Sequence, residues 1–385
     1  MRFYTLHLFM KKYITLILLL ASSCLTLKAQ PKFLPKFVRK MLFEKDSTRS
    51  ASFFLLPVLS SAPETGLELG ASALYSFYTD TSRITRVSNL FAYGTFTTEG
   101  QQRFSISSSY WMPQNRYHYT ASISYINFPF NFYGIGNDTR KANEQRISEK
   151  RFKLNFSGEK RFGNLYLGLV AGGYDYKYQI DNTGKPFEAE LTPQERNGGS
   201  GLYVGPSVTF DNRNNNTYTT KGIHVNGYVN VMHGLYSDNS YKGSFINVEY
   251  TQFFILHKKL VLAFDIQEQS LLGSQNPFYL LPELGNDEMM RGYYNGRYRD
   301  KNMLAGQAEL RYRLSDRIGL DGFAGTGTVF KRFNINHLKP NYGGGLRYFF
   351  DTEKGLTMRV DYGFGEKPAG EKRQQGFYLS LGEAF

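Results

Sequence analysis

A histidine beside a serine, a set of metal-ligating side chains or a glycine-rich phosphate loop would each announce chemistry, and the 385 residues offer only fragments of these. Beyond the N-terminal stretch the histidines are His118, His224, His233, His257 and His337, which stand apart without the short spacings that bring two imidazoles to one metal. No Gly-x-Ser-x-Gly elbow is present, so the nucleophile turn of the common hydrolases is missing. His118 with Ser122 is the nearest local pair, and polar residues lining a wet interior are the simpler account of both. Gly325-Thr326-Gly327 is no nucleotide loop, because the segment reads as a strand with no helix after it. The single cysteine, Cys24, falls in the N-terminal apolar stretch, which removes disulfides and thiol catalysis from the mature chain. The expectation is therefore a protein that is not an enzyme and holds neither metal nor cofactor.

The elements that position these residues read as strands. The chain holds 29 Tyr, 32 Phe and 38 Gly against one Trp, yet mean hydropathy is −0.42, a composition poor in long apolar helices. Lys11 and Lys12 precede an apolar run from Tyr13 to Leu27, with Ala29 before Gln30, which is the order of a secretory signal peptide over residues 1–29. A retained anchor and lipidation at Cys24 are the competing readings of that stretch. Residues 30–50 form a short basic segment with Phe33, Leu34, Phe37, Val38, Met41 and Leu42 at helical spacing, expected as an amphipathic helix in the periplasm. No later segment approaches the roughly 20 apolar residues of a membrane helix.

From residue 51 to 385 the hydrophobic period is two. Leu310, Tyr312 and Leu314 alternate with Glu309, Arg311 and Arg313, and Met358, Val360 and Tyr362 alternate with Arg359 and Asp361. Charges on the inner face of a soluble sandwich would be buried without water, whereas a barrel lumen is wet, so lipid outside is the cheaper arrangement. Sixteen such segments can be counted, from 51–60 and 66–79 to 354–365 and 374–385. The long connections, 129–146, 179–197, 234–240 and 271–302, all follow odd segments, while the short turns follow even ones. The fold class is thus all-β, a sixteen-stranded antiparallel transmembrane β-barrel, integral to the outer membrane. The surplus of 46 Lys+Arg over 33 Asp+Glu is spread along the strands and not gathered in a patch, which speaks against nucleic acid as partner.

The connection 271–302, sixth on the external side, ends in Met290-Arg291-Gly292-Tyr293 and is too long for a plain turn. Arg-Gly-Tyr at this place resembles the Arg-Gly-Phe/Tyr motif of the BamA/TamA outer-membrane superfamily, the bacterial surface antigen family. Pro63-Glu64-Thr65-Gly66-Leu67, Tyr133-Gly134-Ile135-Gly136-Asn137, Phe210-Asp211-Asn212-Arg213 and Lys221-Gly222 are similar to other stretches of that family in the same order. The final strand, with Phe377, Leu379, Leu381 and the terminal Phe385, resembles the signal read by the outer-membrane assembly machinery. The resemblance implies that the loop folds inward and that Arg291, Gly292 and Tyr293 anchor it. A loop held in a wet lumen needs charge-assisted bonds, and Glu309 and Asp321 on the polar faces of the next two strands are the candidate wall partners of Arg291. The chain departs from the pattern at Gly325, where family members commonly carry Asp, and this moves weight to Asp321. Residues 30–50 leave no room for the family's POTRA domains, so the resemblance is to its short members.

The resemblance implies a role in insertion, assembly or translocation of outer-membrane proteins or lipids. A passive pore or structural surface barrel is the alternative. Expected partners are outer-membrane lipids including lipopolysaccharide, the assembly machinery during biogenesis, and client proteins or lipids.

Overall fold

The computed structural model describes residues 49–385 apart from 63–65, 181–185, 236–240, 274 and 334–336. The expected signal peptide, Cys24, nearly all of the 30–50 segment and part of the Pro63–Leu67 motif lie outside these residues. The alternating segments form β1 (Ser52–Ala62), β2 (Gly66–Phe77), β3 (Ser88–Thr97), β4 (Gln102–Trp111), β5 (Tyr117–Phe132), β6 (Gln145–Phe162), β7 (Leu165–Ile180) and β8 (Gly198–Asp211). They continue as β9 (Gly222–Leu235), β10 (Lys242–His257) and β11 (Leu260–Gly273). After a two-strand hairpin, β12 (Glu283–Leu284) with β13 (Tyr298–Arg299), come β14 (Asn302–Arg313), β15 (Ile318–Phe330), β16 (Lys339–Asp351), β17 (Leu356–Phe364) and β18 (Gln375–Leu381).

All but the hairpin join one sixteen-stranded sheet in which each strand pairs antiparallel with its neighbours in sequence. Its edges are β1 and β18, and among the described residues no backbone ladder joins them. The sheet nevertheless curls far enough that β1 reaches the end of β16 and the turn after it. The Ser52 hydroxyl donates to Asp351 (2.6 Å), Lys354 Nζ donates to Ser52 (2.7 Å), and the rings of Phe54 and Phe350 lie 4.2 Å apart.

The two faces of the sheet invert the order of a soluble protein. On β14, Leu310 and Tyr312 are 43% and 40% exposed, while the intervening Glu309 and Arg311 are buried. Leu165, Leu167 and Leu169 on β7 and Leu202 and Val204 on β8 are likewise exposed. Period two sorts the side chains, and curvature puts the polar set on the concave side.

Two of the boundaries that differ from the sequence reading have a visible local cause. β5 runs past Pro129 to Phe132, because Phe128, Phe130 and Phe132 continue the inward alternation, and Phe132 packs edge-on against Phe187 and Phe278. β3 starts at Ser88, since the preceding turn is occupied elsewhere. Arg86 donates to Asp211 (Nη2 to Oδ1, 2.8 Å), and Asn216 Nδ2 donates to the Val87 carbonyl (3.0 Å), locking two short turns together.

Candidate functional site

The loop between β11 and β14 is shaped by backbone that few residues tolerate. Gly285, Gly292 and Gly296 have φ of +95°, +111° and +81°, and Met290, a residue with a side chain, sits at +56°. The Asn286 side chain holds the bend by accepting from the amides of Glu288 (2.7 Å) and Met289 (2.6 Å). This turns Arg291 away from solvent and onto the concave face.

Arg291 is completely buried. Its Nη1 donates to Asp361 on β17 at 2.6 Å, its Nη2 donates to Glu309 on β14, and Asp321 on β15 lies 3.9 Å from Nη1. The guanidinium also sits 3.5 Å from the ring centroid of Phe323. Of the two wall partners expected from sequence, Glu309 is bonded directly, while Asp321 is within ion-pair distance and turns mainly to Arg347 (2.8 Å). The strongest additional partner, Asp361, was not anticipated, although it alternates with Arg359 on a face already read as polar.

Around this contact stand four guanidiniums, Arg291, Arg311, Arg347 and Arg359, and four carboxylates, Glu309, Asp321, Asp361 and Glu383, with every side chain at most 3% exposed. Burying an ion costs several kcal/mol unless a partner offsets it, and here the charges balance one for one. Arg359 extends the network back to the loop, donating to the Asp287 carboxylate (2.8 Å), which also accepts from Ser380 on β18 (2.7 Å).

Gly292 and Tyr293 complete the anchor. A Cβ on Gly292 would fall 2.7 Å from the Phe364 carbonyl carbon, and one on Gly363 would fall 2.6 Å from the Arg291 carbonyl carbon, so the two backbones touch directly. The Gly292 amide donates to the Tyr378 hydroxyl on β18 (2.8 Å). The Tyr293 hydroxyl donates to the Pro340 carbonyl (2.6 Å) and accepts from the Glu366 amide (2.9 Å). Burial pushes the Tyr293 phenol well above its ordinary value, so it stays a neutral double-ended hydrogen bonder. Farther out, Arg297 pairs with Glu371 (2.6 Å), and the Thr139 hydroxyl donates to the Arg297 carbonyl (2.9 Å), which ties three outer loops together.

The C-terminal residues divide. Phe377 and Leu379 lie on the outer face, 66% and 63% exposed, and Leu381 ends the strand half-buried. Phe385 is a correction to the sequence reading, which placed it in the strand. Gly382 (φ +88°) turns the chain, and Phe385 packs inward near Phe253 and beneath Arg311, which donates to its carbonyl (3.0 Å). In the same tail Glu383 accepts from Arg347 (2.8 Å). Period two carries no mark of such a turn beyond the glycine itself.

His118 does not pair with Ser122, its nearest local serine in the sequence, but with Ser109. His118 Nε2 lies 2.9 Å from the Ser109 hydroxyl, its Nδ1 is 3.8 Å from Glu159, and Glu159 is also engaged by Ser207 and Thr209. Ser109, near the end of β4, is paired in the ladders to β3 and β5. Among the described residues, no group of three or more His, Cys, Asp or Glu is placed to hold a metal ion.

An antiparallel sixteen-stranded sheet with an arginine loop pinned to its concave face is the class of architecture the structure defines. The Omp85 superfamily domain matches residues 69–385, and the chain belongs to that superfamily. BamA from Haemophilus ducreyi lacking POTRA domains 1–3 has a similar fold, with TM-score 0.53 and 15% identity over 87% of this chain and 70% of that one. CdiB from Acinetobacter baumannii gives TM-score 0.54 and 13% identity over 87% of this chain and 60% of that one. For CdiB from Escherichia coli the values are 0.54 and 10%, over 88% and 63%. The chain thus spans 60–70% of the length of these structures. No curated protein matches it by sequence.

Proposed function

We propose that the chain is an integral outer-membrane β-barrel that assists insertion, assembly or translocation of outer-membrane proteins or lipids, with the Arg291 loop as a plug inside its lumen. It acts by holding and releasing strands or lipids, without a catalytic step and without a cofactor. The observation that carries this reading is the pair of edges: β1 is bonded to Asp351 at the end of β16 and to Lys354 in the turn after it, yet β1 and β18 share no ladder among the described residues, so their edge backbone donors and acceptors are available to another strand. The outer face supports a lipid surrounding, since a fully exposed Leu or Phe gains about 1.5–3 kcal/mol on leaving water and these half-exposed side chains roughly half of that each. The strands of the large sheet have nine to eighteen residues, apart from the seven-residue β18, long enough to cross the hydrocarbon core when tilted. Lipopolysaccharide and other outer-membrane lipids would contact that face, and the assembly machinery would read β18 during biogenesis.

Photo-crosslinkers at Leu55 on β1 and Leu379 on β18 test the reading in cells. Adducts with outer-membrane proteins or lipopolysaccharide at these two sites, and not at Leu310 in mid-sheet, are expected, together with altered outer-membrane protein content or lipid asymmetry on depletion. An unchanged outer membrane on depletion, combined with a large rise in single-channel conductance for Arg291→Ala, would instead establish a passive pore. The pore reading is favoured by the luminal cavities of about 660 and 430 Å³.

A further inference from the structure

The larger of these cavities is more than a wet interior. It lies between the inner faces of β4–β11 and the loop segment 279–286, and seven of its lining side chains are tyrosines. Tyr174, Tyr176 and Tyr178 form a column on β7, with successive ring centroids 5.9 and 6.1 Å apart and Tyr279 from the loop against all three. Into the same space project four cations, Arg103, Arg151, Lys153 and Arg299. Two of them are matched, Arg151 to Glu149 (3.4 Å) and Arg299 to Glu283 (3.0 Å). Among the described residues no carboxylate pairs with Arg103 or Lys153: Phe128 lies 3.5 Å from Arg103 and Tyr176 5.3 Å from Lys153, Arg103 Nε is a buried donor without an acceptor, and Lys153 is exposed.

Buried donors are normally satisfied, and the one left open at Arg103, beside this cavity, is explained by an acceptor that the chain does not supply. Two unmatched cations call for negative charge. The hydroxyls of Tyr176, Tyr228 and Tyr279 have no hydrogen-bond partner among the described residues, and a phenol both donates and accepts. Asn230, Gln269 and Asn295 add amides of the same double character. Charge, two-way hydrogen bonding and aromatic rings together fit sugar hydroxyls and ring faces better than an extended peptide, which needs apolar side pockets. A cavity of about 660 Å³ is within the range of small-ligand sites. We propose that this cavity binds an anionic saccharide, a short chain of sugar rings carrying carboxylate or phosphate groups.

The test is calorimetric titration of the full chain in detergent micelles with tetragalacturonate, with uncharged maltotetraose and with an acidic hexapeptide. Saturable binding of tetragalacturonate is expected, about tenfold or more tighter than maltotetraose. The double variant Arg103→Gln/Lys153→Gln should remove that preference, Tyr176→Phe should weaken the acidic sugar, and Lys258→Gln on a short turn should leave it unchanged. The comparison of acidic with neutral sugar on the unsubstituted chain decides the question even where a variant fails to fold. Absence of saturable tetragalacturonate binding, equal affinity for maltotetraose, indifference to the double variant, or tighter binding of the peptide each overturns the proposal.

Discussion

Arg291 reaches across the concave side of the sheet to Asp361, 70 positions later in the chain, and bonds it at 2.6 Å, while Asp321 stands 3.9 Å away. The two aspartates are therefore unequal supports of the loop. Asp361→Asn leaves Arg291, Arg347 and Arg359 short of one carboxylate and should destabilise the fold by about 3 kcal/mol. Asp321→Asn, whose main partner is Arg347, should cost less. Urea midpoints read from the gel mobility of folded and unfolded forms check this order, and a larger effect at Asp321 would reverse the assignment.

Arg291→Lys separates charge from geometry. The lysine keeps the positive charge but cannot span Glu309 and Asp361 with two arms, so its urea midpoint should fall between those of the unsubstituted chain and Arg291→Ala. Equality of Lys with Arg would show that charge alone holds the loop.

Gly292→Ala puts a Cβ 2.7 Å from main-chain carbon at φ +111°, a conformation costing an alanine about 1–3 kcal/mol before any clash. The loop should detach without loss of the sheet. Faster proteolysis within residues 285–297 and higher single-channel conductance, with unchanged β-sheet circular dichroism, are the expected readings.

Glu371 links acidity to the outer loops. Although partial burial works in the opposite direction, the Arg297 guanidinium and the Lys141 amide hold its carboxyl below the ordinary value. A carboxylate depressed in the folded state stabilises above its unfolded pKa and loses that contribution as pH falls through the folded one. The protection of the Lys141 amide, the slowing of its exchange relative to an unstructured peptide at the same pH, should therefore fall only once the pH is below about 4.3. In Glu371→Gln that amide should be less protected already at neutral pH, with protection that no longer changes on acidification.

Most of the architecture was legible because alternation needs only neighbours along the chain. Leu310 between Glu309 and Arg311 announces two faces, and the observed strand bounds fall within a few residues of those read from the pattern. Arg291, Gly292 and Glu309 were legible from the loop and the next strand. Asp361 and Arg347 were not, because alternation says which face a residue joins but not which residue stands opposite once the sheet curls. Phe385 was misplaced for a related reason: its inward turn is stabilised by Arg311 and Phe253, far away in sequence. The luminal column of Tyr174, Tyr176 and Tyr178 has the correct period but gives no hint of the cavity it borders.

The bare contact between Gly292 and Gly363 constrains heredity in an unusual way. A clash between two side chains can be relieved by shrinking the opposite partner, but here both surfaces are already reduced to main chain. No exchange at position 363 can accommodate a bulkier residue at 292, so genetic suppressors of such a change should map to the length and course of the neighbouring outer loops and not to the facing strand.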